Sequence, residues 1–192
     1  MTSAFNTLMT PRLTCALLLA VSCAAPAYAQ DNAFAPLLRH LADRLATADQ
    51  VALSKWDSGK SVYDPEREAQ VVTNVSAQAS VYGLAPADVG NVFTDQIEAN
   101  KEVQYALLND WRRAGAAPTA PRQSLPDVIR PKLDGLQTSI LQALRDAAPA
   151  RGQADCPVQV ANAIGRVAHE KSLDTLHRIA LDRATARLCQ TR

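Results

Sequence analysis

No part of this 192-residue chain alternates apolar and polar residues with period two over a useful length. That absence excludes a sheet with one buried face, whose strands carry such an alternation. The 7 glycines are scattered, with neither a G-x-G-x-x-G run nor a P-loop pattern, so no nucleotide cofactor is expected. His40, His169 and His177 show no H-E-x-x-H spacing and form no recognisable ligand set, so no metal is expected. Internal repeats and long low-complexity tracts are missing as well. So is an excess of charge: 20 Lys and Arg face 19 Asp and Glu, and Arg12 is the sole charged residue before Asp31. Beyond Arg12 the chain is formally neutral. That balance argues against nucleic acid or anionic lipid as a partner, since both call for a basic face.

What is present begins with a leader. Arg12 supplies a positive charge, Leu13 to Ala25 is an apolar run, and Ala27-Tyr28-Ala29 is a small-residue cleavage pattern, which together read as a signal peptide over residues 1–29. The apolar run is too short to span a bilayer and no stop-transfer pattern follows it. The mature chain is then periplasmic or secreted and leaves no membrane anchor. Residues 30–192 fit one domain with a single core. Cys15 and Cys23 depart with the leader, leaving Cys156 and Cys189 as an even pair in an oxidising compartment, where a disulfide is expected. An unbroken helix between them would be roughly 50 Å long, whereas a disulfide holds its Cα atoms within about 7 Å. The tail must therefore fold back as a hairpin. The break is expected near Glu170-Lys171-Ser172, with Ser172 capping a last helix that runs through Leu173, Leu176, Ile179 and Leu188.

Apolar residues at Phe34, Leu37, Leu38, Leu41, Leu45, Val51 and Ala52 predict one long helix from Asn32 to about Trp56. Asp64-Pro65 starts a second helix, an acid cap followed by proline at the first helical position, and Gly83 ends it. A third runs from Ala87 to Arg113, and a fourth from Asp127 to Ala147 after a proline-rich loop. The fold class expected is all-α: a compact bundle of about six helices with the disulfide-tied hairpin packed against it.

Arg44 and Lys55 stand eleven residues apart on the first predicted helix, which brings them to within about 20° of one another in direction and roughly 16 Å apart along the axis. On the third, Val89, Phe93, Gln96, Asn100, Gln104, Leu107 and Trp111 recur in steps of three and four, placing amides on a buried stripe. A stranded buried amide costs about 1 to 3 kcal/mol. Asn100 and Gln104 must therefore bond internally or face a polar pocket. The residues alone leave both open, just as they leave Arg44, Arg67 and Lys55 open to being solvated surface cations.

The series RLATADQVALSKW, D-P-E-R-E, FTDQIEANKEVQ and IRPKLD, in that order, resembles the all-helical chorismate mutases, and in particular their exported subclass. The resemblance runs from about Leu37 to Cys189. It implies chorismate as substrate, rearranged to prephenate by a concerted pericyclic shift without a covalent intermediate or a cofactor. It further implies that Arg44, Arg67 and Arg130 grip carboxylates, and that Lys55 and Gln104 donate to the ether oxygen. Asn100 stands where the family usually has Ser or Thr against a carboxylate, and Asp64 and Glu68 where the ring hydroxyl is bound. Family members are commonly dimers, so a homodimer is compatible with the resemblance, although an exported member's site is built within one chain. The alternative is a non-catalytic periplasmic helical module binding a carboxylate ligand or a protein partner.

Overall fold

The computed structural model describes residues 32–190 together with Met1 and Thr2. Apart from those two residues, the expected leader lies outside the described residues, as does its cleavage site. Seven α-helices are found: α1 (Ala35–Leu45), α2 (Ala48–Ser58), α3 (Pro65–Gln78), α4 (Pro86–Ala114), α5 (Arg130–Arg151), α6 (Cys156–Glu170) and α7 (Thr175–Ala184), and no strand occurs among the described residues. The all-α expectation holds.

The long first helix is instead two arms. Thr47 Oγ1 donates to the Arg44 carbonyl at 2.7 Å, and the Thr47 N–H reaches the same oxygen at 3.2 Å, which takes that carbonyl out of the regular ladder. Back-bonding of this kind bends a helix. Ala46 and Thr47 nevertheless keep right-handed helical torsions, so α1 and α2 form one kinked rod and the bundle has six rods. Asp64 caps α3 as expected, accepting from the Arg67 N–H at 3.2 Å. A short 3-10 turn over Ala79–Tyr82 then ends at Gly83, whose φ of 69° is the left-handed conformation that favours glycine. At the α3–α4 crossing Gly90 admits close approach, since a Cβ there would lie 3.0 Å from Ser76 Oγ.

The 29-residue α4 is the axis of the fold, packed on α2, α3 and α7, while α1 packs on α5, α6 and α7. Phe34, the N-cap of α1, and Leu37, Leu38, Leu41 and Leu45 from α1 meet Phe93 and Val103 from α4 and Leu141 and Leu144 from α5 in the main core. A second cluster of Ala52, Val62 and Leu108 is closed by Trp56 and Trp111, whose rings meet edge to face at 6.1 Å. That contact fixes the end of α2 against α4, one residue from Lys55.

Four boundaries differ from expectation. α5 is preceded by a π-helical turn over Leu125–Ile129, capped by Ser124, so helical backbone begins before Asp127 while α5 itself starts at Arg130. It also runs past Pro149 to Arg151, because Arg151, fully buried, is anchored by Asp88 at 2.6 and 2.7 Å and by the Leu188 carbonyl at 2.7 Å. Finally, Ser172 does not cap α7. It adopts φ 50°, and the bonds from Ser172 N–H to the His169 carbonyl and from Leu173 N–H to the Ala168 carbonyl form a Schellman motif that ends α6. Asp174 is the cap, accepting from His177 N–H at 2.8 Å. The helix then ends at Ala184, ahead of Leu188, with Ala180, Leu181 and Ala184 buried and Ile179 exposed. The hairpin itself is as expected, with Cys156 and Cys189 bonded at a Cα separation of 5.9 Å.

Candidate active site

A cavity of about 220 Å³ opens between α2, α3, α4 and the start of α5. The kinked first rod contributes Arg44 and Lys55, so the eleven-residue register survives the bend. From the N-terminal turns of α3 come Asp64, Arg67 and Glu68, and from α4 come Asn100 and Gln104. Seven of the eight expected substrate-contacting residues thus line one space within one chain.

Arg130 is the exception. Ile129 is plugged into the core at 2% exposure, and Arg130 behind it is exposed, lining a separate concavity with Gln50, Ser54 and Asp57. The wall expected from Arg130 is supplied one to two turns further along α5 by Leu133, Asp134 and Gln137. Lys101 also lines the cavity and was not anticipated. Its sequence signal was weak, a cation flanking Asn100 at the edge of the apolar stripe. Asp134 could have been found from the helical step of four after Arg130.

The electrostatics are unbalanced. Four cations, Arg44, Lys55, Arg67 and Lys101, face three acids, Asp64, Glu68 and Asp134. Lys101 pairs with Glu68 at 2.9 Å. Among the described residues no carboxylate lies within ion-pair distance of Arg44, Lys55 or Arg67. Arg67 holds Gln70 at 2.6 Å instead. Burial, followed by repulsion from Arg67, lowers the Arg44 pKa to about 10, and attraction to Asp134 only partly offsets this. Arg44 remains a cation at neutral pH. It stacks 5.7 Å over the Phe93 ring, and its Nε is sealed from solvent without a partner.

Gln104 is buried, and its Nε2 donates to Asn100 Oδ1 at 2.7 Å. An amide nitrogen carries two hydrogens, so one remains to be given elsewhere. Gln104 Oε1 is buried and unpartnered. Val51, Val62, Val71 and Ile97 supply apolar wall, and the lining contains no histidine, cysteine or serine. Such a wall can bind, orient and polarise an anion, but it offers no thiol, imidazole or serine hydroxyl for covalent or proton-relay chemistry.

Comparison with known proteins agrees with this geometry. A family model described as chorismate mutase type II matches residues 35–105, the span from α1 into α4 that carries every converging residue except those of α5. The secreted chorismate mutase of Mycolicibacterium smegmatis is 33% identical over 157 residues, covering 81% of this chain and 85% of that protein. The chain belongs to the chorismate mutase family. The secreted chorismate mutase of Mycobacterium tuberculosis is 30% identical over 159 residues, 81% of this chain and 78% of that protein. Among solved structures, the chorismate mutase from Burkholderia phymatum is 63% identical with a TM-score of 0.82, covering 83% of this chain and 98% of that one. The chorismate mutase from Burkholderia thailandensis is 37% identical with a TM-score of 0.79, covering 83% of this chain and 100% of that one.

Proposed function

We propose that this chain is an exported chorismate mutase, rearranging chorismate to prephenate in the periplasm or outside the cell. The observation that carries the reading is the convergence of Arg44, Lys55 and Arg67, none with a carboxylate partner, beside the Gln104 amide in a cavity whose lining has no cysteine, serine or histidine. The relatives named as secreted and the Cys156–Cys189 disulfide support the exported setting. No helix among the described residues is long and apolar enough to cross a membrane.

Chorismate is a dianion whose reaction breaks an ether C–O bond and forms a C–C bond in one concerted step. The enzyme therefore has to hold the folded conformer and to stabilise negative charge growing on the ether oxygen. Arg44 and Arg67 grip the carboxylates with planar guanidinium groups. Lys55 and the free N–H of Gln104 donate to the ether oxygen, while Asn100 holds the other Gln104 hydrogen and so orients the amide. Asp64 and Glu68 face the ring hydroxyl. A rate gain of ~10⁶ asks for about 8 kcal/mol, and one well-placed donor supplies about 3 to 4. Two donors and conformer selection are enough. All of these side chains come from one chain, so a second copy is not required to complete the site.

The test is loss of chorismate absorbance with the purified, oxidised protein, followed by acid conversion of the product to phenylpyruvate. Turnover is expected without added metal or cofactor. A folded, oxidised protein that leaves chorismate unchanged would favour a non-catalytic carboxylate-binding module.

A further inference from the structure

A carboxylate in a pocket built for a dianion is electrostatically counterproductive, yet Glu68 lines this cavity. Its two oxygens are both held. Oε1 accepts from the Asp64 N–H at 3.3 Å, and Oε2 meets Lys101 Nζ at 2.9 Å. Lys101 is itself pinned: Nζ also pairs with Glu98, one helical turn back on α4, at 2.9 Å, and sits 5.4 Å over the Tyr63 ring. The Lys101 side chain is only 13% exposed and that of Glu68 22%. Burial works against the Lys101 charge, but the bonds from Glu68 and Glu98 outweigh it and raise its pKa, so the ammonium is permanent.

Resting on the chorismate mutase reading, we propose that Lys101 is a positioning residue that aims and neutralises Glu68 as the acceptor for the substrate's ring hydroxyl. An ionised carboxylate offers about four acceptor sites, of which the Asp64 N–H and Lys101 occupy two. At neutral pH a dianionic chorismate has a single conventional hydrogen-bond donor, its ring hydroxyl. Glu68 can be useful to such a ligand only through that group. Without Lys101 its charge would face the substrate carboxylates uncompensated and its side chain would lose one of its two anchors. Lys101 thus turns a repulsive neighbour into a selective one, bridging α3 and α4 at the cavity wall.

The experiment compares kcat and KM for chorismate and for an analogue lacking the ring hydroxyl, using the wild type, Lys101→Met and Lys101→Arg. The wild type should prefer chorismate. Lys101→Met should lose about tenfold or more of that preference, chiefly through KM for chorismate, as expected for a hydrogen bond to a charged acceptor. Lys101→Arg, which retains the cation, should restore most of it. Both substrates are measured on one sample, so the preference ratio does not depend on what fraction of a variant is folded. An equal loss on both substrates, or no loss on either, overturns the role of Lys101. Absence of wild-type turnover overturns the functional reading on which it rests.

Discussion

Two regions of α4 treat buried charge in opposite ways. Towards its N-terminus, Asp95 is 1% exposed and takes hydrogen bonds from Arg183 and from the backbone and guanidinium of Arg187, while Asp88 closes a two-pronged bond with the fully buried Arg151. Burial raises the Asp95 carboxyl, but the Arg187 and Arg183 bonds outweigh it and hold it below the ordinary range. The bond to Asp95 likewise raises Arg187. Further along the same helix, Gln104 Oε1 and the neighbouring Arg44 Nε are buried without partners, and Arg44 is lowered to about 10. Burial therefore does not separate structure from function here. Completed ion pairing does, although the neutral Gln96 amide nitrogen is also buried unpartnered outside the cavity: the α4–tail seam answers each charge internally, whereas the cavity leaves cations for a ligand to answer.

The largest effect should come from breaking the unfinished half. Lys55→Ala removes the proposed ether-oxygen donor, and kcat/KM should fall by about a thousandfold, roughly 4 kcal/mol of transition-state stabilisation. Because Lys55 is half-buried and lacks an ion-pair partner, the urea midpoint should hardly move. Severe unfolding of this variant would make Lys55 structural.

One substitution made in both regions sharpens the contrast. Arg151→Met leaves Asp88 partly buried and unanswered and should cost about 3 kcal/mol of stability, read from chemical denaturation, with turnover retained in whatever folds. Arg44→Met removes a cation that folding disfavours. Stability should be unchanged or raised while kcat/KM falls by about a hundredfold. If the two variants lost stability equally, completed pairing would not be what distinguishes the regions.

Gln104→Glu is a smaller and conditional change. A carboxyl donates only when protonated, whereas the amide donates at any ordinary pH. Turnover by the natural protein should therefore vary little from mildly acidic to neutral pH. The variant should lose about tenfold to a hundredfold at neutral pH and recover in acid. A wild-type profile that falls steeply between acid and neutral pH would remove Gln104 from the donor role.

The two halves were not equally legible. Asp64, Pro65 and Gly83 announced α3 because caps and turns are written in neighbouring residues. The Arg44–Lys55 register was readable because a helical step of eleven tolerates a bend that keeps right-handed torsions at Ala46 and Thr47. The buried amides of α4 followed from periodicity. The seam was hidden, since Asp88 meets Arg151 across 63 residues and Asp95 meets Arg187 across 92. No local pattern encodes such pairs. Ser172 and Asp174 are both cap formers two residues apart, and only the Schellman closure of α6 decides between them. The placement of Arg130 outside the cavity was hidden for a similar reason: the π-helical turn and the burial of Ile129 set where α5 enters the site, and neither is marked in the preceding proline-rich loop.

The finished half also carries a titratable link to the rod that bears Arg44 and Lys55. His177 on α7 bonds Asp49, in the first turn of α2, at 3.0 Å and its own cap Asp174 at 2.9 Å. The Asp49 bond, opposed by burial and helped by Asp174, raises the imidazole to about 9. Since 6.5 is the unperturbed value, this contribution to stability is complete below about pH 6.5 and is lost as pH rises through about 9. The His177 side chain is 12% exposed, but its partners are 50% and 66% exposed, so screening should hold the gain to roughly 1 to 2 kcal/mol. Other groups titrate over the same range, so the informative quantity is the stability gap between the natural protein and His177→Gln. It should be widest near pH 6 and nearly closed near pH 10, because deprotonated imidazole and amide are both neutral. A gap that stays constant across that range would mean that His177 stabilises the tail by packing, not by charge.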